Sequence, residues 1–113
     1  LFETYPHAAF TVLAGSRPYP KTSVQGLLQR QLLLYEEGVA VPDPMLALEE
    51  WTRHHLLRGQ LDLTDIYNYD ALDALVAAYT AYALAHEPHN TTAVGDPAEG
   101  QIILPTGALK DRY

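Results

Sequence analysis

The sequence predicts an α/β protein rich in helices, with about four helices and two short strands, over residues 1–113 as the C-terminal part of one domain. Apolar residues recur at helical spacing in four segments, and residues 1–5 and 101–104 are short runs of β-forming residues. Two strands this short cannot form a stable sheet by themselves. We therefore expect the main sheet to lie upstream of Leu1; a small, mostly helical domain with a minor hairpin is the alternative.

Length and composition exclude several classes of protein. The 113 residues, 48% of them hydrophobic, allow one globular domain, and the lack of cysteine excludes disulfide scaffolds, thiolate zinc sites and cysteine enzymes. No apolar run approaches the roughly 18 residues of a membrane span, and the first ten residues lack the basic start of a signal peptide. We expect a soluble, cytoplasmic protein that does not enter a membrane. Because the chain begins with Leu1 rather than Met, we expect a processed product or an excised fragment.

The predicted elements follow in chain order. Residues 1–5 predict a buried strand that carries Glu3 towards its C-terminal end and stops at Pro6. A short helix over 7–14 and a loop over 16–21 with two prolines come next.

Capping residues mark the next two helices. A hydroxyl residue at position 22 or 23 begins the first, which closes at Gly38. Asp43 followed by Pro44 is a typical helix start, and this helix runs to about residue 58.

The last helix is the longest, from about residue 68 to about residue 86. A connector over 61–67 precedes it, and a polar loop over 87–99 follows. The second strand, 101–104, ends at Pro105.

Two carboxylates open this last helix. Asp70 and Asp73 are three positions apart, which places their Cβ atoms about 5–6 Å from each other on nearly the same face. Asp73 also adjoins the apolar stripe of the helix, where a carboxylate needs a partner such as a divalent cation. Acids in a first turn are also common without any such role.

A third carboxylate, Glu3, lies on the first predicted strand and could converge with this pair. Carboxylate oxygens from a strand and a helix suit Mg²⁺ or Mn²⁺. Paired ions held in this way activate water and stabilise the leaving oxygen in phosphodiester hydrolysis. The sequence therefore predicts a metal site of Glu3, Asp70 and Asp73.

A series of motifs, spread from Glu3 to Pro105, occurs in a distinctive order. Its members are Glu3-Thr4-Tyr5-Pro6-His7-Ala8-Ala9, Tyr19 with Lys21, Arg30, Asp70-Ala71-Leu72-Asp73-Ala74-Leu75, Gly95-Asp96-Pro97 and Glu99-Gly100-Gln101-Ile102. The series resembles an uncharacterised prokaryotic family of predicted nucleases with an RNase H-like fold. The aspartate pair is also similar to the last catalytic motif of RuvC-type Holliday-junction resolvases.

The resemblance implies a site that holds two Mg²⁺ or Mn²⁺ ions and hydrolyses DNA or RNA. In the RNase H-like fold, a first-strand aspartate, a glutamate on a later strand and acids on the last helix bind the metal. Glu3 matches the strand glutamate, and Asp70 and Asp73 match the helix acids. The first-strand aspartate has no counterpart in these residues, because the family's N-terminal strands are absent.

The sequence departs from the family pattern at two positions. Pro20 separates Tyr19 from Lys21, which are usually adjacent, and Gln101 replaces an aromatic residue. Tyr19 and Lys21 are nevertheless the candidate substrate-binding residues, with an ordinary solvated lysine as the alternative.

Other polar and aromatic residues have plainer interpretations. For Arg30, a solvated cation on a helix face is favoured over a residue that meets phosphate or pairs with the acidic cluster. For Tyr5, core packing is favoured over a base-stacking platform. The histidine pair His54-His55 points to different faces of its helix, so a histidine zinc site is not favoured.

Two other functions stay open. The formal charge of −7 favours a non-catalytic RNase H-like domain that binds a nucleotide or protein partner, because a duplex-binding surface is usually basic. An enzyme acting on a small phosphorylated substrate is the other. The terminal strand also makes a homo-oligomer possible.

Overall fold

The computed structural model describes residues 2–59 and 65–113 and contains four helices, three strands and a short 3₁₀ turn in these ranges. The helices are α1 (Pro6–Ala14), α2 (Val24–Glu36), α3 (Pro44–Leu57) and α4 (Tyr69–His86). The strands are β1 (Phe2–Thr4), β2 (Thr92–Val94) and β3 (Gln101–Leu104). The predicted α/β class is confirmed, with all four helices close to their expected bounds. Residues 61–64 of the predicted connector over 61–67 lie outside the described residues.

The chain forms two compact units. One, the sheet unit, comprises Leu1–Pro18 and Asp73–Tyr113, and the other, the helical unit, comprises Tyr19–Leu72. The division falls inside α4, whose first turn belongs to the helical unit. That residues 1–113 form part of a single domain stays a prediction.

The sheet unit contains a three-stranded mixed sheet in the order β1-β3-β2. β3 pairs in parallel with β1 and antiparallel with β2. β2 corrects the sequence analysis, which assigned residues 87–99 to a polar loop and predicted two strands only. A three-residue strand carries little local signal, and β2 exists because β3 returns beside it after the turn at 95–100.

The core of the sheet unit contains residues from α1, α4 and β3, and α1 packs against β3. Its buried side chains are Ala9, Phe10, Val76, Thr80, Ala83, Ile103 and Leu104. The prediction that residues 1–5 form a buried strand is wrong for the residues that follow Phe2. Glu3 and Thr4 are exposed, and so is Tyr5, at 54%. β1 lies at the edge of the three-stranded sheet, and the aromatic residue that is fully buried is Phe10 on α1, not Tyr5.

The helical unit contains α2 packed against α3. The predicted caps are present: the Ser23 hydroxyl accepts a hydrogen bond from the Gly26 amide (2.9 Å), and Asp43 Oδ1 accepts one from the Met45 amide (2.9 Å). Leu34 and Ala47 are buried in this unit.

The start of α4 is fixed by Asn68. Its side-chain Oδ1 accepts a hydrogen bond from the Ala71 amide at 2.8 Å, as an N-cap does. The helix then runs for 18 residues. Within the described ranges, no helix combines the length and apolar character that crossing a membrane requires.

Candidate functional site

Asp70 and Asp73 lie on the first two turns of α4, as predicted. Asp70 is exposed and Asp73 is half-buried. Their separation of three positions on one helix brings the carboxylates to neighbouring places on its surface. Asp73 adjoins the buried side chains of Leu72 and Val76, which explains why it is less exposed than Asp70.

Glu3 lies on β1, opposite Ile102 of β3, with its side chain exposed. It is the central residue of a three-residue strand rather than its last. Glu3 belongs to the sheet unit and Asp70 to the helical unit. The convergence of Glu3 with the two aspartates stays a prediction. Over residues 2–59 and 65–113, no three or more histidine and carboxylate side chains form a group that could hold a metal ion.

Lys21 precedes α2 in the chain, but its side chain lies beside the first residue of α4, within the helical unit. Its Nζ is 5.0 Å from the centre of the Tyr69 ring, a distance typical of a cation–π contact. Tyr69 is the first residue of α4 and immediately precedes Asp70. The structure therefore brings the ammonium group of Lys21 to the helix turn that carries Asp70. The sequence analysis missed Tyr69, although an aromatic residue beside the candidate acid was a visible signal.

Residues 19–21, here called the 19–21 loop, are held at their backbone. The Tyr19 amide donates a hydrogen bond to Gln29 Oε1 (2.8 Å), and the Tyr19 carbonyl accepts one from Arg30 Nη1 (2.7 Å). The Pro20 carbonyl accepts from the Ser23 hydroxyl (2.7 Å). The Tyr19 ring is 60% exposed, so a fixed backbone presents a free aromatic face to solvent.

Arg30 is not the solvated cation that the sequence predicted. It is only 3% exposed, and its Nη1 donates to the carbonyls of Tyr19 (2.7 Å) and Gly26 (3.1 Å). The prediction failed because the acceptors are backbone carbonyls, which a sequence pattern does not reveal. A glycine four positions earlier in the helix was the available signal, since an interior helical glycine often marks a close packing contact.

Gln31 is a second buried polar residue that the sequence analysis missed. It is fully buried, its Nε2 donates to the carbonyls of Pro42 and Asp65 (2.9 Å each), and its Oε1 accepts from the Tyr67 amide (2.9 Å). These bonds attach the segment that leads into α4 to the middle of α2. Gln31 therefore fixes the approach to the turn that carries Tyr69 and Asp70.

Among the histidines, His86 has a contact in the described structure. The side chains of His54 and His55 lie outside the described residues. His86 ends α4, and its ring lies 4.5 Å from that of Tyr82.

Comparison with known proteins gives one finding. A family profile described as "Protein of unknown function (DUF429)" matches residues 1–99. Among curated proteins and among solved structures, nothing matches the chain.

Proposed function

The chain belongs to the DUF429 family, and we propose that it acts in a metal-dependent nuclease with an RNase H-like fold. The reaction is hydrolysis of phosphodiester bonds in DNA or RNA with Mg²⁺ or Mn²⁺. One observation carries the proposal: the turn of α4 that begins the Asp70–Asp73 pair also holds the Lys21 ammonium over Tyr69. A carboxylate that can bind a cation, Asp70, and a positively charged side chain that can bind a phosphate, Lys21, thus lie on or beside the same helix turn.

The donor chemistry of the aspartate pair fits a hard divalent cation. Both side chains offer carboxylate oxygens, and they project from neighbouring positions of one rigid helix. Asp70 is exposed and Asp73 half-buried, so both are reachable from solvent. Glu3 is the third carboxylate that the resemblance to RNase H-like nucleases assigns to the site. When bound, Mg²⁺ or Mn²⁺ makes water a better nucleophile and neutralises charge on the phosphate.

The remaining residues of the proposed site contact the nucleic acid. Lys21 carries a compact charge on a flexible stem, which suits a phosphate oxygen. Tyr19 has a fixed backbone and an exposed ring on which a nucleobase can stack. Asp70 and Asp73 would hold the cation, and Lys21 would contact a phosphate oxygen of the substrate.

A cleavage assay tests the proposal. The full-length protein is incubated with structured DNA and structured RNA at fixed Mn²⁺, and initial rates are compared with those of Asp70→Asn and Asp73→Ala. We expect both variants to lose cleavage, because each removes a metal-binding carboxylate. Glu36→Gln is the matched control: it removes an exposed carboxylate at the end of α2. Equal rates for the wild type and both aspartate variants would contradict the proposal.

A second function is favoured by the overall charge. The formal charge of −7 is unusual for a protein that grips a nucleic-acid backbone, because phosphate binding relies on lysine and arginine. An RNase H-like domain that binds a nucleotide or a protein partner without catalysis would tolerate this charge.

Calorimetric titration separates the two functions. A nuclease of the proposed kind binds Mg²⁺ or Mn²⁺ and loses that binding in Asp73→Ala. If the full-length protein takes up neither ion, the non-catalytic function is supported instead.

A further inference from the structure

We propose that Arg30 is a positioning residue that places Lys21 at the start of α4 by holding the backbone of the 19–21 loop. Arg30 does not touch the nucleic acid in this proposal. The inference rests on the proposed function in one respect, namely that Lys21 binds the substrate phosphate. The placement of Lys21 itself is independent of any activity.

The contacts of Arg30 support a structural hold on the loop. The side chain is almost completely buried, and Nη1 bridges two carbonyls, that of Tyr19 at 2.7 Å and that of Gly26 at 3.1 Å. Hydrogen bonds from an ionised donor are stronger than those between neutral groups. One nitrogen therefore ties the loop to the first turn of α2.

Gly26 shows how closely the loop approaches the helix. A Cβ atom at this position would overlap the Pro20 carbonyl and would lie 2.9 Å from Arg30 Nη1. Only glycine at position 26 leaves room for both the Pro20 carbonyl and the Arg30 guanidinium. Arg30 and Gly26 thus form one packing unit against which the loop is set.

The hold is transmitted to Lys21 over a very short stretch of chain. The Tyr19 carbonyl is bound by Arg30, and Pro20, whose φ is fixed by its ring, is the only residue between Tyr19 and Lys21. A lysine on a mobile loop would sample many positions with its flexible stem. Here the Nζ atom lies 5.0 Å from the centre of the Tyr69 ring.

The first experiment reads the position of Lys21 directly by proton NMR. With Nζ 5.0 Å from the ring centre, we expect the ring current of Tyr69 to shift the ε-methylene protons of Lys21 upfield in the wild type. We expect Arg30→Met and Gly26→Ala to reduce this shift, because each removes part of what holds the loop beside the bonds with Gln29 and Ser23. Arg30→Lys, which keeps a charged donor, retains more of it. Thr80→Val is the control, since Thr80 is fully buried but donates to Val76 in the sheet unit; it keeps the shift.

The second experiment uses Mn²⁺-dependent cleavage by the same full-length variants. We expect KM for the nucleic acid to rise about tenfold in Arg30→Met, while kcat stays within about twofold. A tenfold change corresponds to about one charge-assisted contact, that between Lys21 and the phosphate. If the variants simply lost structure, kcat would fall as well, and the same change would appear in Thr80→Val.

The outcomes test two separate statements: that Arg30 places Lys21, and that this placement supports substrate binding. An unchanged Lys21 shift in Arg30→Met, or in Arg30→Lys if the methionine variant does not fold, overturns the positioning role. A reduced shift with an unchanged KM overturns the link to substrate binding. If the wild-type protein cleaves nothing, the proposed function fails, and the NMR shift still decides whether Arg30 places Lys21.

Discussion

Replacing Gln31 with leucine tests how strongly the approach to α4 is fixed. The substitution keeps a side chain of similar size in a fully buried position but removes all three hydrogen bonds of the amide. Each such bond contributes about 1 kcal/mol net. Pro42 and Asp65 are exposed residues, so water can partly replace the amide at their carbonyls. We therefore expect the free energy of unfolding to fall by about 2–3 kcal/mol.

Urea denaturation measures this loss, and amide hydrogen exchange locates it. The Tyr67 amide, whose acceptor is Gln31 Oε1, should lose protection in Gln31→Leu. The Val39 amide donates to the Leu34 carbonyl in the same unit and should keep its protection relative to global unfolding, as an internal reference. Thr80→Val is the control for burial, because its hydroxyl donates to a carbonyl within the same helix. A loss below about 0.5 kcal/mol with unchanged Tyr67 exchange would refute the reasoning, because three net bonds amount to more than that.

Two further predictions concern the start of α4. Asn68→Ala removes the side-chain acceptor of the Ala71 amide, so stability should fall by about 1 kcal/mol and helical circular dichroism should decrease slightly on heating; Asn68→Asp, which keeps an acceptor, should lose much less. Lys21→Met should leave the melting temperature nearly unchanged while it weakens nucleic-acid binding. In a salt titration, it should lower the slope of log K against log salt concentration by about 0.7 for a single strand, and an unchanged slope would mean that Lys21 contacts no phosphate.

The helices could be predicted because their signals are local. Asp43 and Ser23 cap helices through atoms two and three residues away, and Gly15 ends α1 in the left-handed conformation. Such contacts are encoded in a few adjacent residues, and apolar spacing supplies the rest. The strand β2 could not be predicted in this way, because its identity depends on pairing with β3.

The residues of the candidate site differ in the same way: some could be predicted from local sequence, and others depend on contacts with distant segments. The neighbouring positions of Asp70 and Asp73 follow from helix geometry alone. Arg30 and Gln31 could not be assigned, since the groups that bind them include carbonyls and an amide of other segments, up to 36 positions away. Buried polar groups of this kind are recognised only when the fold shows what they bind.

The parallel pairing of β1 with β3 affects how the protein folds during synthesis. Phe2 is paired with Gln101, so the first strand leaves the ribosome about 100 residues before its partner, a delay of about 5–20 s at ordinary translation rates. The helical unit is one continuous stretch of chain and can form in that interval. Until β3 is made, the side of β1 that pairs with β3 lacks its partner, and other nascent chains could occupy it. The exposed, charged Glu3 at its centre discourages such association, whatever else this carboxylate does.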